Sequence, residues 1–322
     1  MRPSRHRRGA PNRSPQIRPG NAQLSQLRDG SAFGTLPNQP MRKNIAVVNQ
    51  KGGVGKTTTA INLSAGFALE GIPTMLIDCD PQSNSTGGLG FARDEDRSST
   101  YTVLINESTV AEAAIETGIE NLKLLPSSKH LIGANVELVH AEDRAYRLQK
   151  ALAKYDGPEQ LFVLDCPPAL DLLTLNALVS ADSLLIPMQA EYFALEGVSE
   201  LVQTLDRVRD GFKPELVIEG VVLTMYDERT NLAQQVTENL REFFGDKLLK
   251  TSIPRNIRLA EAPSHGKPVQ IYEPRSRGAE SYMELAREIL LRNKIESPRE
   301  LARKAEAKRA KDGAKVRFWP YT

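Results

Sequence analysis

The chain has 322 residues, of which 40% are hydrophobic and 25% are charged, as is ordinary for a globular protein of one large α/β domain or two small ones. No run of about 18 apolar residues occurs, so the sequence predicts no membrane-spanning helix. No apolar stretch near the start has the form of a secretory signal, so no signal peptide is predicted. Two cysteines are too few for a disulfide framework, so the sequence predicts a protein of the reducing cytoplasm.

Charge is unevenly distributed along the chain. The net charge is +2, yet residues 1–40 carry +6, residues 292–322 carry +6, and the part between these tails carries −10. Basic tails of this kind either contact nucleic acid or anionic lipid, or are solvated segments without a partner. Both interpretations stay open for each tail.

The domain organisation follows from composition. Residues 1–40 are rich in Arg, Pro, Asn, Gln, Ser and Gly without an apolar period, which predicts a disordered basic extension. Met41 stands directly before the first apolar run, so a translation start at Met41 is an alternative explanation of that extension. The folded domain is predicted over 41–292, and 293–322 is a predicted basic tail, in which 297–312 favours a solvated helix.

From residue 44 onward, short apolar runs alternate with segments of helical period. Near-continuous apolar strands between helices are typical of a mostly parallel twisted sheet with helices on both faces, so the sequence predicts an α/β fold. Apolar runs occur at 45–48, 75–77, 122–125, 161–164, 184–186 and 217–223, and helices are predicted near 57–70, 142–153, 172–180, 194–211, 231–244 and 279–292.

A phosphate-binding loop is predicted between the first strand and the first helix. The stretch from Lys51 to Thr57 reads Lys-Gly-Gly-Val-Gly-Lys-Thr, and its glycines permit close backbone approach while the helix N-terminus favours an anion. Lys56 can reach the β- and γ-phosphates of a nucleotide, and the Thr57 hydroxyl can ligate Mg²⁺. The predicted nucleotide contacts are Gly52, Gly53, Val54, Gly55, Lys56, Thr57 and Thr58.

Lys51 is a second cation at the start of this loop. The usual loop pattern has a glycine five residues before Gly55, where this chain has Gln50. Two ammonium groups about 4 Å apart would repel each other by roughly 4 kcal/mol unless a polyanion lay between them. Lys51 therefore either points away from Lys56 or serves another phosphate.

Acidic residues stand at the ends of two predicted strands. Asp78 and Asp80 end the second strand and, being two residues apart, share a face. Asp165 ends the strand at 161–164, the position of the acid that holds magnesium in P-loop proteins. Three carboxylates at one edge of a parallel sheet predict a metal site beside the loop. The candidate metal ligands are Thr57, Asp78 and Asp165.

Separated motifs give the chain a resemblance to a known family. The loop at 51–57 resembles the deviant Walker A of the ParA/MinD superfamily, and further stretches resemble ParA proteins, which partition chromosomes and plasmids. The resemblance covers about 43 to 292, and its motifs occur in the family's order. The further stretches are 76–82, 165–168, 191–197, 223–227 and 254–264.

The resemblance implies an ATP-dependent dimerisation switch with slow, Mg²⁺-dependent ATP hydrolysis. It implies that Lys51 crosses a homodimer interface to the partner's nucleotide, that Asp80 positions the attacking water, and that Asp78 supports Mg²⁺ or the loop. Pro254 and Asn256 would line the adenine pocket. The absence of an Asn-Lys-x-Asp motif favours ATP over GTP. The implied catalytic residues are Lys51, Lys56 and Asp80.

The resemblance also implies partners and a location. A ParB-type centromere-binding protein would stimulate hydrolysis, and the ATP dimer would bind non-specific duplex DNA, which places the protein in the cytoplasm on the nucleoid. Non-specific DNA affinity requires exposed Lys and Arg, and Arg229 is the leading candidate by resemblance. The remaining DNA-binding candidates are Arg207, Arg255 and Arg258.

The sequence leaves two alternative functions to compare with a partitioning ATPase. A MinD-like membrane-positioning ATPase needs a C-terminal amphipathic helix with bulky apolar residues, but 299–311 offers only Leu301 and alanines, so no membrane partner is expected. A metabolic P-loop enzyme would need a site for a small-molecule acceptor, and no such site can be recognised in the sequence.

Overall fold

The computed structural model describes residues 42–92, 94–191 and 194–315. The extension predicted at 1–40, the question of a start at Met41, and the end of the tail at 316–322 lie outside the described residues. The rest of the chain forms a layered α/β fold in which one sheet separates two groups of helices, as the apolar runs predict.

The sheet has eight strands in the described residues, seven of them parallel. They are β1 (Lys43–Val47), β2 (Thr74–Asp78), β3 (Ile115–Glu116), β4 (Leu122–Leu125), β5 (Leu161–Asp165), β6 (Ser183–Gln189), β7 (Val217–Tyr226) and β8 (Leu248–Pro254). Their order across the sheet is β3-β4-β2-β5-β1-β6-β7-β8, and only β3 runs antiparallel, to β4. The predicted parallel sheet is therefore confirmed, and the carboxyl ends of β1, β2, β5, β6, β7 and β8 meet at one edge.

Thirteen α-helices connect or flank these strands in the described residues. They are α1 (Lys56–Leu69), α2 (Asn84–Gly88), α3 (Thr100–Leu104), α4 (Val110–Ala113), α5 (Ala134–Glu137), α6 (Arg147–Ala153), α7 (Leu172–Ser180), α8 (Ala194–Gly211), α9 (Asn231–Phe244), α10 (Ile257–Glu261), α11 (Val269–Tyr272), α12 (Arg277–Arg292) and α13 (Pro298–Lys315). Short 3₁₀ turns lie at Lys129–Gly133, Arg144–Tyr146, Gly245–Lys247 and Ala262–His265. Among the described helices, none has both the length and the apolar composition that a bilayer crossing requires.

Alternate residues of the strands pack into two separate cores. Ala46 and Val48 of the first strand region belong to the core that includes residues of α6, α7 and α8, whereas Ile45 and Val47 pack on the side of α1 and α12. This alternation follows from the two-residue period of a strand, and it explains why the apolar runs are nearly continuous. Helix α1 is buried along most of its length, and a Cβ built at its Gly66 would lie 2.8 Å from the Cβ of Ala286 in α12.

A buried polar network closes the amino edge of the sheet. The Glu219 carboxylate of β7 lies 2.6 Å from the Lys43 ammonium of β1, and it accepts hydrogen bonds from Ser183 Oγ at 2.7 Å and Asn293 Nδ2 at 2.6 Å. Burial raises the pKa of Glu219, but Lys43 and the hydrogen bonds outweigh burial and hold that pKa below its usual value. The network therefore ties β1, β6 and β7 to the end of α12 with every charge paired.

Candidate nucleotide-binding site

The loop between β1 and α1 has the backbone that close phosphate approach requires. Gly53 and Gly55 have φ of +74° and +86°, a left-handed conformation in which a side chain would be strained. Nothing lies within 4 Å of a Cβ built at Gly52 or Gly53, so the backbone there faces open space. The predicted nucleotide contacts at 52–58 therefore form one loop that opens at the carboxyl edge of the sheet.

Side chains at the ends of neighbouring strands hold this loop in place. Asn49 donates from Nδ2 to the Pro187 carbonyl at 2.8 Å, while its Oδ1 accepts from the Lys51 amide at 3.0 Å. Thr224 of β7 donates its hydroxyl to the Val54 carbonyl at 2.8 Å. Hence the loop conformation is fixed by β6 and β7 before any ligand arrives, which lowers the entropy cost of binding.

The Lys56 ammonium stands at the start of α1 and is largely buried. Its Nζ donates to the Lys51 carbonyl of the same loop at 3.0 Å. Burial lowers the pKa of Lys56, and the nearby charges of Asp165 and Asp80 oppose that effect. A largely buried cation that, among the described residues, donates to a neutral carbonyl is suited to receive a polyanion such as a nucleoside triphosphate.

Asp165 ends β5 with a carboxylate that is completely buried and half satisfied. Ser85 donates its hydroxyl to Oδ2 at 2.7 Å, whereas Oδ1 is buried and has no hydrogen-bond partner among the described residues. The pKa of Asp165 is raised to about 7, mainly by burial and next by the neighbouring Asp78 charge. Hydrogen bonding from the Ser85 and Thr57 hydroxyls opposes this rise. An unpartnered buried oxygen of this kind is a candidate ligand for a cation.

Asp78 and Asp80 organise the turn that follows β2. The Asp78 carboxylate accepts from the Thr86 amide and hydroxyl at 2.8 and 2.7 Å and from the Asp80 amide at 3.1 Å, and burial raises its pKa to about 6. Asp80 Oδ1 accepts from the Gln82 amide at 2.8 Å. Both carboxylates therefore lie at the predicted edge, but Asp78 already has partners on both oxygens, and its role as a metal ligand stays a prediction.

Lys51 has a different setting from Lys56. Its Nζ lies 2.5 Å from Glu191 Oε2, and both side chains are about half exposed, at 51% and 52%. An ion pair so exposed contributes at most about 1 kcal/mol to stability, because water and salt screen it. Lys51 is therefore held weakly at the rim of the loop, where a stronger anion can replace Glu191.

Comparison with known proteins identifies the family to which this site belongs. A family profile described as an AAA domain matches residues 42–218. The sporulation initiation inhibitor protein Soj of Bacillus subtilis is 49% identical over 249 residues, which are 77% of this chain and 98% of that protein. The chromosome partitioning protein ParA of Myxococcus xanthus is 47% identical over 255 residues, 79% of this chain and 90% of that protein.

The chain belongs to the ParA/Soj family of chromosome-partitioning ATPases. The resemblance drawn from its motifs is thus confirmed, and so is its assignment as a P-loop ATP hydrolase. A crystal structure of cobyrinic acid a,c-diamide synthase from Mycobacterium smegmatis, with a bound ATP analogue and magnesium, has a TM-score of 0.67 at 34% identity and covers 76% of this chain and 93% of that one. That lower identity gives no support to a metabolic enzyme over a partitioning ATPase.

The donor set of this ParA/Soj family ATPase fits magnesium. Mg²⁺ prefers oxygen ligands and usually keeps one or two protein groups together with waters and substrate phosphates. Asp165 Oδ1 and the Thr57 hydroxyl supply such oxygens beside the phosphate loop. No group of three or more His, Cys, Asp or Glu residues forms a self-contained metal cage in the part of the chain described. Magnesium would neutralise the phosphate charge here, and the protein's residues would orient it.

The predicted adenine residues lie at the same edge as the loop. Pro254 at the end of β8 is in register with Tyr226 at the end of β7, close in the chain to Thr224, which holds the loop. Asn256 caps α10, since its Oδ1 accepts from the Arg258 amide at 2.8 Å. The partitioning ATPase thus brings Pro254 and Asn256 to the nucleotide edge, and their contact with adenine stays a prediction.

The DNA-binding candidates lie on three separate elements. Arg229, after β7, is 85% exposed and pairs with Asp227 at 2.7 Å; Arg258 pairs with Glu261 at 2.7 Å. Arg207 on α8 and Arg255 after β8 are exposed as well. All four are therefore accessible to a phosphate backbone, and two of them already have an acidic neighbour.

Two polar contacts of the site were not predicted. Ser85 orients Asp165 from 80 residues away, and Ser127 donates its hydroxyl to the Asp80 carbonyl at 2.7 Å. Neither serine belongs to a motif with a recognised spacing. Only the three-dimensional neighbourhood of β2 and β5 identifies them, because serines are common in any loop.

Proposed function

We propose that this ParA/Soj family ATPase is an ATP-dependent dimerisation switch. In this proposal its ATP-bound dimer binds DNA non-specifically and moves chromosomal or plasmid DNA together with a ParB-type partner, in association with the nucleoid. The observation that carries the proposal is the pair of lysines in one loop. Lys56 is buried and bonded to the loop itself, whereas Lys51 is half exposed and held only by Glu191.

Dimerisation follows from how these two charges can be satisfied. One triphosphate in the loop takes Lys56, which leaves Lys51 at the rim beside an exposed carboxylate. A second copy of the chain placed face to face brings its own triphosphate to that rim. Lys51 then exchanges a weak surface ion pair for a charge-assisted contact with the partner's phosphates. ATP thereby becomes part of the interface, and loss of the γ-phosphate loosens it.

In this proposal, the residues around Asp165 couple ATP hydrolysis to a change of conformation. Asp80 would position the attacking water, Lys56 would stabilise the charge that develops on the phosphates, and Mg²⁺ held through Asp165 and Thr57 would neutralise it. Pro167 and Pro168 follow β5 after Cys166 and stiffen the segment that leads to α7. A stiff segment between the metal ligand and a core helix suits a sensor of the γ-phosphate.

DNA binding depends on the dimer in this proposal. A single Arg229 contributes one phosphate contact, and it must first leave Asp227, with which it forms an ion pair weakened by exposure to solvent. A dimer carries twice as many arginines as a monomer. When both subunits contact the same duplex, the affinity of the dimer for DNA therefore exceeds that of the monomer. Nucleotide state is thus converted into DNA affinity.

Co-sedimentation with duplex DNA and with anionic liposomes, each with ATP or ADP, tests the proposal. We expect retention on DNA with ATP that exceeds the retention with ADP, and no ATP-dependent retention on liposomes. ATP-dependent liposome binding without DNA binding would favour the MinD-like alternative. The ParB-type protein encoded nearest the gene should raise the ATPase rate, and a rate unchanged by it would contradict that partner.

Arg229→Glu tests the DNA surface directly. We expect the ATP-dependent DNA affinity to fall and the salt dependence of log K to flatten by about one phosphate contact per subunit, because each contact releases counterions. The matched control is Arg241→Glu, an equal change of charge on an exposed arginine about 15 Å along α9 from its first residue. Equal effects of the two variants would show that Arg229 is misassigned.

A further inference from the structure

Helix α2 places two adjacent hydroxyl groups on two buried carboxylates. The Ser85 hydroxyl donates to Asp165 Oδ2 at 2.7 Å. The Thr86 hydroxyl donates to Asp78 Oδ2, also at 2.7 Å. The two aspartates are register partners at the ends of β2 and β5, and all four of these side chains are buried. This helix of five residues therefore joins the ends of the two strands that carry the candidate metal ligands.

The backbone around α2 is constrained at both ends. Ser83, directly before the helix, has a φ of +56°, a left-handed conformation that a residue with a side chain keeps only where the surrounding structure imposes it. At the other end, a Cβ built at Gly88 would lie 2.6 Å from Cδ1 of Ile61 in α1, so the two helices are in close contact. Ser85 is thus presented to Asp165 by a constrained segment of the chain.

A serine acts on a buried carboxylate differently from a lysine. The Ser85 hydroxyl satisfies Oδ2 of Asp165 but brings no positive charge, and Oδ1 has no hydrogen-bond partner among the described residues. The torsion that turns a carboxylate is broad, so a hydrogen bond to one oxygen restricts the orientation of the other. At the amino edge, by contrast, Lys43 neutralises the buried Glu219 carboxylate. Ser85 therefore orients Asp165 while the negative charge stays available to a cation.

We propose that Ser85 is a positioning residue for magnesium, because its hydrogen bond to Oδ2 holds the Asp165 carboxylate with Oδ1 free to ligate the ion. Partners of this kind orient the groups that bind a metal, and their loss lowers metal affinity by about 10–100-fold. The inference rests on Asp165 as the metal ligand of the proposed function, and it requires neither dimerisation nor DNA binding. If Ser85 served only to satisfy a buried oxygen, its loss would weaken folding and leave the metal affinity of the folded protein unchanged.

Calorimetric titration of the full chain with ADP, in EDTA and at increasing Mg²⁺ concentrations, tests the inference in the absence of hydrolysis. Ser85→Ala should need about ten times the wild-type Mg²⁺ concentration to reach half of the gain in ADP affinity that Mg²⁺ gives. In EDTA its ADP affinity should equal that of the wild type, because the hydroxyl acts on the metal ligand and not on the nucleotide.

The matched control is Ser183→Ala at the amino edge. Ser183 is also fully buried and donates its hydroxyl to the Glu219 carboxylate at 2.7 Å, so this variant removes the same kind of bond. It should keep the wild-type Mg²⁺ requirement. Ser85→Cys is the second test, because a thiol is of similar size but donates weakly. It should shift the Mg²⁺ requirement in the same direction as Ser85→Ala.

A wild-type Mg²⁺ requirement in Ser85→Ala, or equal shifts in Ser85→Ala and Ser183→Ala, would overturn the inference. A wild-type requirement in Ser85→Cys would assign the effect to packing and overturn it as well. Asp165→Asn, measured in parallel, should lose most of the gain from Mg²⁺. If it does so and Ser85→Ala does not shift, only the positioning role fails. If Asp165→Asn keeps the full gain, or if Mg²⁺ leaves the ADP affinity of the wild type unchanged, the metal ligand of the proposed function fails too.

Discussion

Buried carboxylates at the two edges of the central sheet have opposite pKa shifts. At the amino edge, Glu219 is buried and surrounded by Lys43, Ser183 and Asn293, and its pKa lies below the usual value. At the carboxyl edge, Asp165 is completely buried, has one oxygen without a hydrogen-bond partner in the part of the chain described, and has a pKa raised to about 7. The two buried carboxylates therefore have opposite pKa shifts, because Glu219 is paired with Lys43 whereas Asp165 lies beside the like charge of Asp78.

The difference distinguishes a buried carboxylate that stabilises the fold from one that is available to a ligand. A buried carboxylate that is fully paired contributes to folding, whereas one left unpaired destabilises the ligand-free protein and stores that free energy for binding. Glu70, held by Arg287 and Ser297 at the far end of α1, follows the structural pattern as well. Asp165 differs from both, because one of its buried oxygens has no hydrogen-bond partner among the described residues.

The largest effect is expected at Lys56. Lys56→Ala removes a buried cation at the carboxyl edge, and we expect the ATPase rate to fall by about 10²–10³-fold, as for loss of a charge-stabilising group in an active site. The measurement is steady-state phosphate release. Lys250→Ala, at an exposed lysine of β8, is the control and should leave the rate unchanged. Similar rates in the wild type and Lys56→Ala would remove Lys56 from the mechanism.

A substitution in the Glu219 network should lower the free energy of unfolding and leave the ATPase rate of the folded protein unchanged. Glu219→Ala leaves Lys43 without its partner, and we expect a loss of about 3 kcal/mol in the free energy of unfolding, measured by urea denaturation. Glu215→Ala, an exposed acid four residues earlier, should cost less than about 0.5 kcal/mol. If Glu219→Ala changed the ATPase rate of the folded protein but not its stability, the contrast between the edges would fail.

The ligand-free protein should become more stable when the charge of Asp165 is removed. In the ligand-free chain the pKa of Asp165 is raised from 3.8 to about 7, so the folded state binds more protons than the unfolded state between these values. The free energy of unfolding must then fall as pH rises through this window. Asp165→Asn should flatten the fall and raise stability at pH 8 by on the order of 2 kcal/mol, while hydrolysis is lost.

The control for Asp165→Asn is Asp96→Asn, at an exposed position in the loop before α3. It should leave the pH dependence of unfolding as in the wild type. A destabilised Asp165→Asn protein at pH 8 would mean that the Asp165 charge already has a partner in the ligand-free state.

Much of the fold was predictable because parallel strands carry a strong apolar signal. The runs at 45–48 and 161–164 are strands β1 and β5, and the helices predicted at 172–180, 194–211 and 231–244 have the observed bounds. Strand β8 was not predicted. It lies at the sheet edge, has Lys250 exposed, and its Lys250 and Thr251 amides donate to the Glu288 carboxylate, so it lacks the apolar run of a central strand.

The site was predictable to the extent that it is local. The glycine loop lies in one stretch, and Asp78, Asp80 and Asp165 end strands whose parallel order brings them together. The Ser85 contact with Asp165, the clamp of Thr224 on the loop, and the pairing of Lys51 with Glu191 each join residues at least 80 positions apart. Such contacts depend on side-chain packing, which no spacing along the chain encodes.

The central claim is that ATP joins two copies through Lys51, and the molar mass in solution tests it most directly. Light scattering with ATP and Mg²⁺ should give the wild type twice the mass that it has with ADP. Lys51→Ala should bind ATP and remain a monomer, while Lys129→Ala, at an exposed lysine paired with Glu95, should dimerise as the wild type does. An ATP-dependent dimer of unchanged affinity in Lys51→Ala would contradict the account.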